Sequence, residues 1–184
     1  MAELVKLDDP ARYDIQQYER LLGQVPLFSM HGEEVRAYVE KMFTHGMVLT
    51  VEENGKLLGL MGFYANDFEK RDAHWSSLAI DPSLRGQGWG LRLLNCARAA
   101  SRNAGMTTAY GRVVKTNTFA IKLYKWFGFE FSECETDPRR FNLKLPLTPP
   151  RLLIFTPTSR LYLKSAGRTP RSFWWKTESP WTTL

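Results

Sequence analysis

The sequence predicts a single mixed α/β domain over residues 1–147. Three features carry this: strand-like and helix-like apolar periodicities that interleave along the chain, an Asn54-Gly55 pair between two strand-like runs, and a glycine-rich turn set between a strand and a helix. Residues 148–184 read as a basic, Pro- and Trp-containing extension, because Thr148-Pro149-Pro150, Pro157, Pro170 and Pro180 break the pattern there.

The elements follow in order. Residues 3–7 read as a first strand. Asp9-Pro10 is a helix start, a capping carboxylate followed by proline at the first helical position, and Gly23 is the stop after Leu22. A loop over 24–32 precedes Val35, Tyr38, Val39, Met42 and Phe43, whose spacing marks an amphipathic helix. Residues 47–52 and 56–65 form a hairpin across Glu53-Asn54-Gly55. Residues 66–73 are polar and predict a loop, and His74–Ile80 predicts a strand stopped by Asp81-Pro82. A helix from about Gly88 to Ala104, a strand over 107–114, a helix over 117–127 ended by Gly128, and strands over 129–134 and 140–145 complete the domain.

Composition narrows the function classes. The net charge of +6 sits mainly in the extension: residues 1–147 hold 19 Lys+Arg against 18 Asp+Glu, and residues 148–184 hold six basic residues against Glu178. The body of the chain is therefore nearly neutral, which argues against nucleic acid as its partner. Cys96 and Cys134 fit no metal spacing, so no metal is expected. No apolar run has the ~18 residues of a membrane span, and the N-terminus lacks a secretory pattern, so the expected compartment is the cytoplasm.

Arg85-Gly86-Gln87-Gly88-Trp89-Gly90 carries the first chemical signal. Glycines let backbone amides turn toward a ligand, and the helix start behind them adds unpaired N–H groups and partial positive charge. Together these make a phosphate or pyrophosphate site. No Gly-Lys-Ser/Thr closes the turn, so it is not a Walker loop, and it does not match the dinucleotide fingerprint.

Leu78-Ala79-Ile80-Asp81-Pro82-Ser83-Leu84-Arg85-Gly86-Gln87-Gly88-Trp89-Gly90 resembles the acetyl-CoA motif of the GNAT (GCN5-related N-acetyltransferase) superfamily. Asn117-Thr118-Phe119-Ala120-Ile121-Lys122-Leu123-Tyr124-Lys125-Trp126-Phe127-Gly128-Phe129 resembles a second segment of the same family, at the matching distance. The likeness spans roughly residues 3–147 and departs at Trp89, where the family has a small or aliphatic residue. It implies a mostly antiparallel sheet with one splayed parallel strand pair, flanked by helices, and acetyl-CoA as co-substrate.

By the same resemblance, Ile80 offers backbone contacts to the pantetheine arm and the Leu78 N–H faces the thioester carbonyl. The N–H groups of Gln87, Gly88, Trp89, Gly90 and Leu91 would hold the pyrophosphate, with Arg85 adding charge. Tyr124 matches the tyrosine that protonates the departing thiolate, although it could also border the apolar stripe of Ala120, Leu123 and Phe127. Asn117 is read either as a pantetheine contact or as a helix cap. His74 is the candidate base, since strand alternation puts His74, Ser76 and Leu78 on one face unless a bulge intervenes; a structural histidine is the alternative. Asp67, Glu69 and Asp72 are fallback bases.

The acceptor site is expected from Val25–Glu34 and Phe63–Trp75, with Phe28, Glu33, Glu34, Tyr64, Asp67, His74 and Trp75 as candidate contacts. Acids beside aromatics suit a cationic amine, such as an amino sugar, an aminoglycoside or an aryl- or alkylamine. Competing readings are a protein N-terminal or lysine acetyltransferase, and a non-catalytic acetyl-CoA-binding or nucleic-acid-interacting module. A homodimer is left open. The extension is read as strands that pack on the body or a partner, or as non-native sequence.

Overall fold

A computed structural model of the chain describes residues 2–7 and 9–147. The expectations for residues 148–184 lie outside the described residues.

Seven strands form one sheet in the order β1-β2-β3-β4-β5-β7-β6. They are β1 (Glu3–Leu7), β2 (Met47–Glu53), β3 (Lys56–Asp67), β4 (Asp72–Ile80), β5 (Thr108–Val114), β6 (Glu130–Glu133) and β7 (Arg140–Pro146). Every pairing is antiparallel except β4 with β5. Helices α1 (Ile15–Leu22) and α2 (Glu33–His45) pack on one face, and α3 (Trp89–Asn103) and α4 (Thr118–Phe127) are the later helices. The expected α/β class, with its one parallel strand pair, is the observed one.

The first core forms because α1 and α2 each place an apolar stripe on the sheet. Tyr18, Leu21, Leu22, Val35, Val39 and Met42 are buried against Val48, Leu57, Leu60 and Ala79. Each such side chain removed from water contributes about 1.5–3 kcal/mol before the entropy of ordering it is set against this. Between β2 and β3, Asn54 and Gly55 both have positive φ (51° and 72°), the conformation that the Asn-Gly pair predicts.

Two elements differ from the sequence expectation. The helix expected over 10–22 is split into a 3-10 turn, Pro10–Arg12, and α1. Asp9 caps the turn by accepting from the Ala11 N–H, and Asp14 caps α1 by accepting from the Gln16 N–H. Two capping carboxylates five positions apart permit two starts. Tyr13 lies extended between them, buried, and its hydroxyl donates to the buried Glu52, which Arg12 also binds. The loop expected over 66–73 is also shorter, because β3 runs on to Asp67 and β4 begins at Asp72. Hairpin pairing satisfies the backbone there whatever the side-chain polarity.

The end of β4 is tied down by Arg20. Its guanidinium pairs with Asp81 and donates to the Leu57 carbonyl at 2.6 Å, while Asp81 also accepts from the Ser83 N–H and hydroxyl. Burial alone would raise the Asp81 pKa, but the bonds from Ser83 and Arg20 outweigh it and hold the carboxyl at about 2. A depressed carboxylate pKa stabilises the fold above its unfolded value near 4, and that contribution disappears as pH falls through the folded value. Asp81→Asn keeps a capping oxygen and removes the charge. Denaturant unfolding should show it destabilised by roughly 1–3 kcal/mol at pH 7, and less sensitive than the parent chain to acid between pH 4 and pH 2. Equal stability of the two proteins at pH 7 would show that the ion pair contributes nothing net.

Candidate functional site

Strands β4 and β5 pair only over Asp72–Thr108, Ala73–Ala109 and His74–Tyr110, and then separate. The last close approach is Trp75 against Gly111, where a side-chain carbon on the glycine would stand 3.0 Å from the Trp75 carbonyl oxygen. Beyond it a cleft of about 570 Å³ opens between the strands. Its floor is Ser76–Ile80 and Arg112–Val114, and its walls are the turn before α3 and the inner face of α4.

Hydrogen bonding on β4 explains what faces the cleft. The Asp81 N–H donates to Leu58, so by antiparallel alternation Ala79 and Ser77 also bond toward β3. The backbone groups of Leu78 and Ile80 therefore point away from β3, into the cleft. Arg85 uses this: its Nε donates to the Ile80 carbonyl at 3.2 Å, and its Nη2 donates to Gln24 at 2.8 Å.

One end of the cleft is the glycine turn. Gly86 and Gly88 have φ of +75° and +82°, and nothing lies within 4 Å of the position that a side-chain carbon would take on either. Gly88 is the N-cap of α3 and supplies no side-chain cap, so the first N–H groups of the helix have no capping side chain. Gly86, Gly88, Trp89, Gly90 and Leu91 line the cleft. Gln87 departs from the expectation. It does not line the cleft; its N–H donates to the Leu84 carbonyl at 3.4 Å and its side chain to the Ser83 carbonyl at 2.8 Å, so it closes the turn instead.

The other end is Tyr124 on α4. Its ring packs edge-on to Phe129 at 5.3 Å, and a small cavity of about 20 Å³ behind it is shared with Leu78, Trp75 and Leu94. Burial pushes the Tyr124 phenol up to about 12, so it stays protonated throughout the neutral range. Asn117 lines the cleft and also caps α4, its Oδ1 accepting the Ala120 N–H at 3.1 Å. Sequence left these two roles as alternatives, and the capping bond is present.

The single face expected for His74, Ser76 and Leu78 is broken by a β-bulge. The register of β3 with β4 shifts between Gly62–Ser77 and Phe63–Trp75, leaving Ser76 extra. Trp75 consequently points to the α3 side, where its indole N–H donates to Ser101 at 3.2 Å and its ring meets Phe127 and Phe129. Ala79 belongs to the opposite core, and Tyr38 of α2 reaches the hydroxyls of both Ser76 and Ser77. His74 stacks on Tyr64, its cross-strand partner, with ring centres 6.3 Å apart. It is on the α2 side and outside the lining of the cleft, whereas the Leu78 side chain is on the α3 side.

The other acceptor candidates are dispersed. Trp75 is a core residue, 6% exposed. Phe28 packs edge-on to Tyr38. Glu33 pairs with Arg36, Glu34 is exposed beside it, and Asp67 accepts the Lys70 N–H in the hairpin turn. None of Phe28, Glu33, Glu34, Tyr64 or Asp67 lines the cleft. Sequence reasoning passed over Tyr38, Ser77 and Arg112. Two adjacent serines in an alternating strand, Ser76-Ser77, were the available sign of the bulge. Among the described residues no cluster has the side chains of a metal site, and no helix is long and apolar enough to cross a membrane.

Fold and cleft together place the chain among the α/β acyltransferases. The sequence pattern of the Acetyltransferase (GNAT) family matches residues 12–129, and the chain belongs to that family. It is an acetyl-transferring enzyme, an N-acetyltransferase. Mouse thialysine N-epsilon-acetyltransferase is 25% identical over 123 residues, covering 62% of this chain and 72% of that one. The Escherichia coli ribosomal-protein-S18-alanine N-acetyltransferase superposes with a TM-score of 0.64 at 19% identity, over 84% of this chain and 99% of that one. The PaiA N-acetyltransferase of Thermoplasma acidophilum, solved with coenzyme A, gives 0.61 at 16% identity, over 79% and 99%. At these identities the structural likeness is one of fold.

Desolvation first, and the charge of Arg112 second, lower the His74 pKa below its ordinary value near 6.5, so the imidazole is neutral at pH 7. An NMR titration should find His74 titrating below the ordinary imidazole value near 6.5. Arg112→Gln should move His74 part of the way back up, because the desolvation remains. An unchanged His74 titration in that variant would show the two groups to be uncoupled.

Proposed function

We propose that the chain transfers the acetyl group of acetyl-CoA to the primary amine of a small molecule. The observation that carries this is the unpaired edge of β4, which runs from an amide-lined helix start at one end to a protonated phenol at the other. An extended arm with amide groups can pair with Leu78 and Ile80 as an added strand would, and a pyrophosphate suits the uncapped start of α3.

In this reading the Gly88, Trp89, Gly90 and Leu91 amides hold the pyrophosphate. The Leu78 N–H meets the thioester carbonyl and stabilises the oxyanion formed when the neutral amine attacks; one such fixed donor contributes about 3 kcal/mol. Tyr124 gives its proton to the departing sulfur. The amine's proton leaves toward the α2 face, where His74 is neutral and takes it through a water. The small-molecule acceptor is favoured by the mouse relative, which is named for the ε-nitrogen of thialysine. Thiol release from acetyl-CoA in the presence of a panel of amines tests the reading as a whole. Protein or peptide amines working where all small amines fail would replace it with a protein-directed acetyltransferase.

Two substitutions test the parts. Gly88→Val puts a side chain where free space and a positive φ now stand. Calorimetry should show acetyl-CoA affinity reduced by at least tenfold, with the melting curve reporting any loss of fold separately. Tyr124→Phe keeps the ring against Phe129 and removes only the proton donor. Turnover should fall by ~10²–10⁴, with little change in acetyl-CoA affinity. Full turnover in a single-turnover assay would return Tyr124 to a packing role.

A further inference from the structure

Among the described residues three arginines line the cleft, Arg85, Arg112 and Arg140, and two of them are bonded elsewhere. Arg85 is bound to the Ile80 carbonyl and Gln24, and Arg140 to Asp137 at 3.1 Å. Arg112 makes no ion pair or hydrogen bond among the described residues. Its position is set by alternation on β5: Ala109, Gly111 and Val113 are buried on the α3 side, so Tyr110 and Arg112 stand on the other face, exposed. That face also holds His74, which is in register with Tyr110 and electrostatically coupled to Arg112. Arg112 lines both the cleft and the small cavity shared with Tyr124, whereas the glycine turn lines the cleft alone, so Arg112 belongs to the Tyr124 end of the floor.

We propose that Arg112 is an anion subsite for the acceptor, so that the amine acetylated by this chain also carries a carboxylate. This rests on the small-molecule reading above and inverts the charge logic of the sequence, in which loop acids were to bind a cationic amine. Those acids are committed or remote: Glu33 to Arg36, Asp67 to its own turn. A guanidinium presents paired donors that match a carboxylate. The same charge disfavours polycationic acceptors such as aminoglycosides, so attraction for one class and repulsion of the other act together.

The test uses the full chain and two matched pairs, γ-aminobutyrate with butylamine and phenylalanine with phenethylamine, at constant ionic strength. First, the His74 NMR titration is followed as each compound is added. Neutralising Arg112 with a carboxylate should raise the His74 titration point for γ-aminobutyrate and phenylalanine, but not for the plain amines, and Arg112→Gln should abolish the effect. Second, kcat/KM is measured with acetyl-CoA. The carboxylate member of at least one pair should be preferred about tenfold or more, and Arg112→Gln should erase that preference, read as the ratio of the two members so that any effect of the variant on His74 cancels. No carboxylate-dependent shift of His74, or one that persists in Arg112→Gln, overturns the proposal even if amines are acetylated. So does an equal loss on both members of a pair, which would mean that Arg112 acts on the amine itself. Thiol release from no small amine, with the His74 shift intact, instead removes the small-molecule reading and leaves the anion site standing.

Discussion

The structure turns on a pairing that stops. Strands β4 and β5 run parallel for three residue pairs and then part beyond the contact of the Trp75 carbonyl with Gly111. A strand interior that loses its neighbour exposes a row of N–H and C=O groups, and such groups are seldom left without partners. Here the row belongs to Leu78 and Ile80, in the middle of a seven-stranded sheet. The sheet therefore carries an open edge inside itself, and the cleft is that edge. The Ser76 bulge interrupts the β3–β4 ladder just past the last β4–β5 pair, and the Arg20–Asp81 tie holds the end of β4. Opening and anchoring thus occur within six residues of β4 and its end.

The bulge has a second effect. It places the residues before and after it on opposite faces for the same sequence parity. Trp75 joins the aromatic cluster with Phe127 and Phe129 and supports the helix that carries Tyr124. His74, one residue earlier, joins Tyr64 and the α2 face. The two sides of the cleft are thereby given different chemistry: a wall bearing the Tyr124 phenol on the α3 side, and an imidazole with a guanidinium on the other. Tyr38, held by Ser76 and Ser77, pins α2 to the bulge itself, so the helix that borders the second side is registered against the backbone that faces the first.

How far the sequence discloses this depends on what each feature is made of. The order of strands and helices is visible because it rests on periodic apolar residues, and the Asn54-Gly55 turn because positive φ selects its residues. The glycine turn before α3 is visible for the same reason. The split at Tyr13 is not, because Asp9 and Asp14 are both acceptable caps and only the buried Glu52, forty residues away, decides between one helix and two. The bulge is half visible in Ser76-Ser77. The commitments of charged side chains are hardest to see: nothing local says that Glu33 is paired with Arg36 while Arg112 makes no ion pair among the described residues. A charge pattern read along the chain counts both alike, and only the fold separates a charge already neutralised from one still available.

The turn at Gly86–Gly88 shows how stability is distributed between the free and bound protein. A serine or aspartate at the N-cap of a helix contributes only about a few tenths of a kcal/mol more than glycine does. Either side chain would also satisfy the amides that line the cleft, and at Gly88 it would have to adopt a φ of +82°. The chain instead leaves these amides without a capping side chain. The missing capping energy is available to any anion that docks there, and a ligand that binds only the folded state adds its own binding free energy to stability. The weakness of the α3 start in isolation and its capacity to hold a phosphate are one property, since a capped helix end would have neither.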